Sequence, residues 1–215
     1  MGRTASTAPS LALLLAALAA DPGNTHPHVF IDGGADLVFD GEGRLSELRI
    51  SWIYDPLTSL FMIEDLGLPS TEPLTEAQRA ELAAYQTEWH PDFQGDSYVY
   101  DGSGEIGLSG PQEPDAEIRD GRVVISFTRK LDTPIPPSDQ IRVEIYDPTY
   151  YTAYAVTEAP RLLGNAVDCA ATIDPFEPTQ DLVALQTSLF AIPADEDPEE
   201  NLGQLFADKI FLRCD

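Results

Sequence analysis

Residues 28–54 read HVFIDGGADLVFDGEGRLSELRISWIY, and this stretch predicts a β-hairpin. Two runs rich in aliphatic and aromatic residues, 28–39 and 44–54, flank the turn DGEG at residues 40–43. Acidic residues and glycines of this kind are typical of the turn between antiparallel strands. In the second run large apolar side chains fall at every other position: Ile50, Trp52 and Tyr54. One side of that strand is therefore expected to face a core.

The rest of the chain predicts further strands and a few helices. Apolar and polar residues alternate at residues 123–128, 141–146 and 150–156, and a last strand is predicted at 209–214. Such alternation is typical of antiparallel strands with one face on a core. Helices are predicted at 56–66, 75–89 and 181–190, with one helical turn at 202–206. We expect a single α+β domain over residues 20–215, mainly antiparallel sheet with two to three helices.

Composition and charge exclude some partners. The chain has 215 residues, 43% of them hydrophobic, which is enough for one sizeable core. It carries 12 Lys and Arg against 37 Asp and Glu, a formal net charge of −25. Nucleic acids and anionic lipid surfaces attract clustered Lys and Arg, so neither is an expected partner. Cations and cationic partners are compatible with this charge.

The first 19 residues have the three parts of a secretory signal peptide. Arg3 supplies a positive start, an apolar stretch spans residues 11–18, and Ala17-Leu18-Ala19 fits the small-x-small cleavage pattern. That stretch is too short to cross a bilayer, and no later segment holds about 20 apolar residues. The sequence therefore predicts export to the periplasm and no membrane insertion after the signal is removed.

Cys169 and Cys214 are the two cysteines of the chain. In an oxidising compartment an even count indicates a disulfide, and two cysteines so far apart do not form a CxxC redox or zinc motif. Closing a loop of this length stabilises a fold by about 4 kcal/mol in the chain-entropy model. The bridge is expected to tie the last strand to the segment before Asp174.

Most catalytic templates are absent from the sequence. It has no Gly-rich phosphate loop, no G-x-S-x-G and no H-E-x-x-H motif. The stretch from Asp96 to Asp101 lacks the alternating ligands of a calcium loop, and DGSG at residues 101–104 predicts a hairpin turn instead. Carboxylate pairs that could cleave sugars arise by coincidence among so many acids. We therefore expect a protein that is not an enzyme.

The segment HPHVFID, residues 26–32, is the most informative for function. Two of the three histidines of the chain, His26 and His28, lie in it. In an extended chain residues two apart project to the same side, so both imidazoles can face one ion. Imidazole suits zinc, copper and nickel. The same residues also suit a strand start whose imidazoles simply hydrogen-bond neighbouring carboxylates.

The third histidine and two aspartates are weaker candidates. His90 could be a third ligand, although a histidine at a helix end more often interacts with the terminal carbonyls. Asp55 and Asp147 both precede proline at predicted strand ends, where aspartate is typical of turns. From the residues alone, turn chemistry is the stronger interpretation of both.

Three segments in order resemble one bacterial family: HPHVFID at 26–32, WIYD at 52–55 and YDPTYY at 146–151. The chain resembles the family catalogued as domain of unknown function 1007, also described as the periplasmic component of an uncharacterised ABC-type transport system. Its members are often encoded near permeases of the nickel/cobalt exporter type. The resemblance thus implies a role in handling a transition metal, and it makes Asp55 and Asp147 candidate ligands.

The leading hypothesis is a periplasmic protein that binds zinc, nickel or cobalt for an inner-membrane transporter. His26 and His28 would be the primary ligands, with Asp55 or Asp147 completing the site. A mixed nitrogen and oxygen site suits these metals better than Cu(I), which favours sulfur. The alternatives are a non-metal interaction module that docks a transporter and, ranked last, a secreted hydrolase.

Overall fold

The computed structural model describes residues 27–70, 73–90, 93–166, 168–189 and 201–214. These residues form one α+β domain built from two β-sheets that share a core. The strands are β1 (Val29–Phe39), β2 (Leu45–Tyr54), β3 (Ser97–Asp101), β4 (Gly104–Ile106), β5 (Gln112–Arg119), β6 (Arg122–Ile135), β7 (Arg142–Ile145), β8 (Thr152–Val156), β9 (Leu162–Gly164), β10 (Cys169–Asp174) and β11 (Lys209–Cys214). The helices are α1 (Pro56–Asp65), α2 (Glu76–Thr87) and α3 (Gln180–Leu189), and a 3₁₀ turn spans Leu202–Phe206.

The two sheets have different strand orders. The first runs β5-β6-β2-β1-β8, with β9 also pairing with β1, and the second runs β10-β11-β7-β3-β4. Side chains from both sheets, among them Leu37, Trp52, Val143 and Ile210, lie in one buried cluster. Helices α1 and α2 add Met62 and Leu82 to that cluster. The core therefore lies between the two sheets and extends beneath these helices.

The predicted hairpin of residues 28–54 is confirmed as β1 and β2, which pair antiparallel. In β1 the buried apolar side chains are Ile31, Ala35, Leu37 and Phe39, which is the period of two that the sequence shows. In the turn, the Asp40 carboxylate accepts the backbone N–H groups of Glu42 and Arg44 at 2.9 Å each. The acidic side chain thus accepts hydrogen bonds from backbone N–H groups of the turn itself.

The antiparallel expectation is wrong for the strand predicted at residues 150–156. In the structure β8 pairs with β1 in parallel, Val29 opposite Thr152 and Gly33 opposite Val156. Alternation reports that one face of a strand is buried, but it carries no information about the direction of its neighbour. Since β7 and β8 belong to different sheets, the turn between them changes sheet rather than forming a hairpin.

The predicted helices are confirmed, with small differences at their ends. Helix α2 begins after Thr75, whose side chain and that of Gln78 each accept a backbone N–H from the other residue, and this capping box fixes the start. The helix ends at Thr87 rather than Trp89. The backbone leaves the helical conformation at Glu88, with φ −80° and ψ 72°, and the Trp89 indole N–H donates to the Gln86 carbonyl at 2.9 Å. Residue 190, predicted as the last of α3, lies outside the described residues.

The predicted disulfide between Cys169 and Cys214 is confirmed. The two residues lie directly opposite each other in the antiparallel pair of β10 and β11, with 4.1 Å between their Cα atoms. Strand β10 is an edge strand that has one neighbour in the sheet. The bridge therefore fastens the edge of the second sheet to the last strand.

Strand β5 escaped prediction because it contains Pro114. Proline cannot donate to a strand ladder and is confined to edges and bulges. Here β5 is an edge strand, and its register with β6 shifts between Gln112 and Asp115, around the proline. The hairpin turn predicted at residues 101–104 is confirmed. It joins β3 and β4, which pair antiparallel.

No helix in the described part of the chain is both long enough and apolar enough to cross a bilayer. The predicted signal peptide, residues 1–19, lies outside the described residues. Export to the periplasm therefore stays a prediction.

Candidate functional site

The described part of HPHVFID, residues 27–32, meets the segments WIYD and YDPTYY at one end of the six-stranded sheet. Strand β1 begins there, the antiparallel strand β2 ends beside it, and the parallel strand β8 begins on its other side. The backbone N–H of His28 donates to the carbonyl of Tyr151 at 2.8 Å, and that of Asp55 donates to the carbonyl of Phe30 at 2.9 Å. Segments far apart in the sequence thus form one local surface.

His28 lies at the start of this surface, just before β1. Its imidazole is half-buried and packs against the ring of Tyr151, with 4.7 Å between ring centroids and 33° between their planes. His26, the other predicted primary ligand, lies outside the described residues. The juxtaposition of the two imidazoles therefore stays a prediction.

The Asp55 carboxylate caps the N-terminus of α1. Its Oδ1 accepts the backbone N–H groups of Leu57 at 2.9 Å and Thr58 at 3.0 Å. Its Oδ2 accepts the Thr58 hydroxyl at 2.6 Å and the Phe30 N–H at 3.2 Å. Burial raises the pKa of Asp55, but the hydrogen bonds from Thr58, Phe30 and Leu57 outweigh it and the pKa lies below its ordinary value. All four lone-pair positions of the carboxylate are used within the protein.

Replacing the cap tests what Asp55 contributes to the fold. We expect Asp55→Ala to lower the free energy of unfolding by about 1–2 kcal/mol, because α1 loses its N-cap and Phe30 its partner. Asp55→Asn is a partial control, since its one side-chain oxygen can still cap α1 while its amide nitrogen cannot accept the Phe30 N–H, so its loss should be the smaller of the two. Urea unfolding of both variants measures the difference. A loss as large in Asp55→Asn as in Asp55→Ala would contradict the capping role.

Asp147 organises the turn that leads from β7 to β8. Its Oδ1 accepts the backbone N–H and the hydroxyl of Thr149, each at 2.8 Å, and its Oδ2 accepts the N–H of Thr152 at 2.9 Å. The turn presents Tyr151 to His28. Unlike Asp55, Asp147 also lines a large cavity. Asp55 thus caps a helix and Asp147 holds a turn, and one of the four lone-pair positions of Asp147 has no hydrogen-bond partner among the described residues.

A cavity of about 910 Å³ opens beside this surface, between the first sheet and helices α1 and α2. Its lining is rich in aromatic side chains: Trp52, Tyr54, Phe61, Tyr85, Trp89, Phe93, Tyr151 and Tyr154. His90 lines it too, just beyond the end of α2. Ligand cavities are typically this large and mainly apolar, with a few polar groups that orient the ligand.

Asp96 is the polar group that sequence reasoning missed. It is 5% exposed, and its Oδ2 accepts the Tyr154 hydroxyl at 2.8 Å. Its Oδ1 is buried and has no hydrogen-bond partner among the residues the structure describes. Burial raises the pKa of Asp96 to about 8, and the negative charge of Asp147 acts in the same direction. The Tyr154 hydrogen bond and the positive charge of Arg129 oppose this effect.

A second buried polar atom lies in the wall of the same cavity. Trp52 is 3% exposed, and its indole Nε1 has no hydrogen-bond partner within the described ranges. By contrast, the indole N–H of Trp89 donates to the Gln86 carbonyl at 2.9 Å. The sequence does not reveal that Asp96 is buried. It follows a glycine before a strand, as many surface aspartates do, so no local signal marks it as buried. A carboxyl group in a cleft with so perturbed a pKa is a candidate for function.

The described residues contain no group of three or more His, Cys, Asp or Glu side chains that could hold a metal ion. A metal site at this end of the sheet would therefore need at least one ligand from outside the described residues, such as the predicted ligand His26. His90 and Asp96, which line the cavity, do not form such a group with Asp147.

Comparison with known protein families agrees with the resemblance that the three segments indicate. The model of a family described as "Protein of unknown function (DUF1007)" matches residues 11–214, nearly the whole chain. The chain belongs to the DUF1007 family.

The DUF1007 chain is also similar to a protein of Haemophilus influenzae (strain ATCC 51907 / DSM 11121 / KW20 / Rd) named "Uncharacterized protein". The two are 25% identical over 206 residues, which cover 88% of this chain and 91% of the relative. The similarity covers most of both chains rather than an isolated motif.

Proposed function

We propose that this DUF1007 protein is an exported, non-enzymatic accessory protein that binds a divalent transition metal for a membrane transport system. The observation that carries the proposal is the meeting of the HPHVFID, WIYD and YDPTYY segments at one end of the first sheet. Histidine and aspartate brought to one place supply the mixed nitrogen and oxygen ligands that suit zinc, nickel or cobalt.

His26 and His28 are the proposed primary ligands, and Asp147 is the better of the two aspartates. Asp55 already accepts four hydrogen bonds as the cap of α1, so a metal would have to displace one of them. Asp147 accepts three, and its turn carries Tyr151, which packs against the His28 ring. A metal held by these three groups would join the start of β1 to the start of β8.

Metal titration of the chelator-treated protein, residues 20–215, tests this proposal. Calorimetry with zinc, nickel and cobalt should give one site per chain, with affinity at least about 100-fold weaker in His26→Ala/His28→Ala, because two direct ligands are lost. Affinity should also fall below about pH 6, where imidazoles are protonated and cannot bind metal.

His90→Ala is the matched control for that titration. It removes the same side chain from the neighbouring cavity wall, and its affinity should equal that of the wild type. Equal affinity of the wild type and the His26/His28 double variant for all three metals would end the proposal.

The exposed face of α1 favours a second candidate, a module that docks a transporter without metal. Leu57, Leu60 and Phe61 are spaced to lie on one helix face and are 77%, 49% and 65% exposed. Apolar side chains grouped on a surface often mark a contact with another protein. This candidate predicts a membrane partner that stays bound after chelation, whereas the metal proposal predicts that chelation changes the interaction.

A further inference from the structure

We propose that the aromatic cavity binds a small organic cation, with its apolar body between the aromatic rings and its ammonium group against Asp96. This site is additional to the metal site, because it uses the interior of the cavity and does not need His26 or His28.

Two buried atoms with unmet hydrogen-bonding capacity point to a polar ligand group. Oδ1 of Asp96 and Nε1 of Trp52 both lie in cavity-lining residues, and neither has a partner among the described residues. Leaving such a group unsatisfied is unfavourable, so buried polar groups are almost always paired with protein, water or ligand. A ligand that donates to Asp96 and offers an acceptor to Trp52 would satisfy both.

The charges around Asp96 favour a cation over an anion. The cavity lining includes Asp96 and Asp147, and none of its described residues is a lysine or arginine. Arg129, a buried cation whose charge acts on Asp96, lies over the Trp89 ring, 5.4 Å from its centroid, and its guanidinium donates to the carbonyls of Ser97 and Ser109. Three phenols near Asp96 have their pKa raised by burial and therefore stay neutral: Tyr54, Tyr98 and Tyr154.

The aromatic rings supply the rest of the recognition. Trp52 lies 6.0 Å from Trp89 and 6.1 Å from Tyr154, measured between ring centroids. Tyr154 is the same residue that donates its hydroxyl to Asp96, so the acid lies beside aromatic faces. An ammonium group over a desolvated aromatic face is attracted by the ring in addition to its pairing with a carboxylate. Rings and acid together match an amine that carries an apolar group.

Intrinsic fluorescence offers a direct measurement, since the chain has two tryptophans and both line the cavity. Chelator-treated protein is titrated above about pH 8, where Asp96 is ionised and the amine is still protonated, with phenethylamine and with its neutral analogue phenethyl alcohol. We expect the amine to change the tryptophan emission and to bind at least about 10-fold more tightly than the alcohol, which corresponds to about 1.4 kcal/mol. Asp96→Asn should remove this preference.

Two controls separate this site from other effects. Asp132→Asn removes an exposed carboxylate of the same type and should keep the amine preference. The His26→Ala/His28→Ala variant should also keep it, whatever its affinity for metal, so the two proposals fail independently. Equal binding of amine and alcohol by the wild type, no binding of either, or an unchanged preference in folded Asp96→Asn would each overturn the inference. Should Asp96→Asn fail to fold, the wild-type comparison of the two probes alone decides.

Discussion

Removal of the disulfide is expected to lower the free energy of unfolding by about 4 kcal/mol. Cys169 and Cys214 are 45 positions apart, and their bridge restricts the unfolded chain over that whole loop. In the folded protein the bridge secures β10, an edge strand held by β11 alone among its described neighbours in the sheet. The loss is a large fraction of the 5–15 kcal/mol that typically stabilises a domain.

The measurement is urea unfolding of the Cys169→Ala/Cys214→Ala variant beside the wild type with and without reductant. Reduced wild type should match the variant, and the variant should not respond to reductant. Hydrogen exchange should show β10 losing protection before β1 and β2, which lie in the other sheet. A loss of less than about 1 kcal/mol would contradict the predicted role of the bridge.

The second large effect concerns pH and the buried Asp96. Its pKa is about 8 in the folded protein, against 3.8 for an ordinary aspartate. Between about pH 5 and pH 8 the folded chain therefore holds a proton that the unfolded chain has released. Stability must then fall as the pH rises, by up to about 1.4 kcal/mol per pH unit from this residue. Above about pH 8 both states are ionised at Asp96 and its contribution no longer changes.

Asp96→Asn removes the titrating group while its side-chain oxygen can still accept the Tyr154 hydroxyl. We therefore expect the free energy of unfolding of the variant to exceed that of the wild type by an amount that grows from pH 5 to pH 8. Thermal or urea unfolding at several pH values in chelator measures the difference. Asp132→Asn should follow the wild type. If the free energies of unfolding of the wild type and of Asp96→Asn change with pH in parallel, Asp96 is ionised throughout in the folded protein and the prediction is wrong.

Local sequence pattern was enough for most elements of the fold. The hairpin of β1 and β2, the start of α2 at its Thr75 cap and the strand Lys209–Cys214 all follow from alternation, capping residues and turn residues. These signals are local because they depend on one buried face or on hydrogen bonds within a few residues. Strand direction and sheet membership were not predictable in the same way, as β8 shows.

The sequence identified Asp55 and Asp147 as candidate ligands by position, and in the structure Asp55 caps helix α1 while Asp147 holds the turn from β7 to β8. Asp96 was passed over, although it is the most perturbed carboxyl of the cavity. Its burial depends on Tyr154 from β8 and on the walls of α1 and α2, which are distant in the chain.

By itself the sequence determined the α+β class, the disulfide partners, the candidate histidines and the membership of the DUF1007 family, since these depend on local pattern or on matched segments. Only the tertiary structure decided that three distant segments form one surface and that an aromatic cavity with a buried acid lies beside it. The physical reason is that burial and electrostatic environment arise from long-range packing. A carboxylate has the same local sequence whether solvent or tryptophan rings surround it.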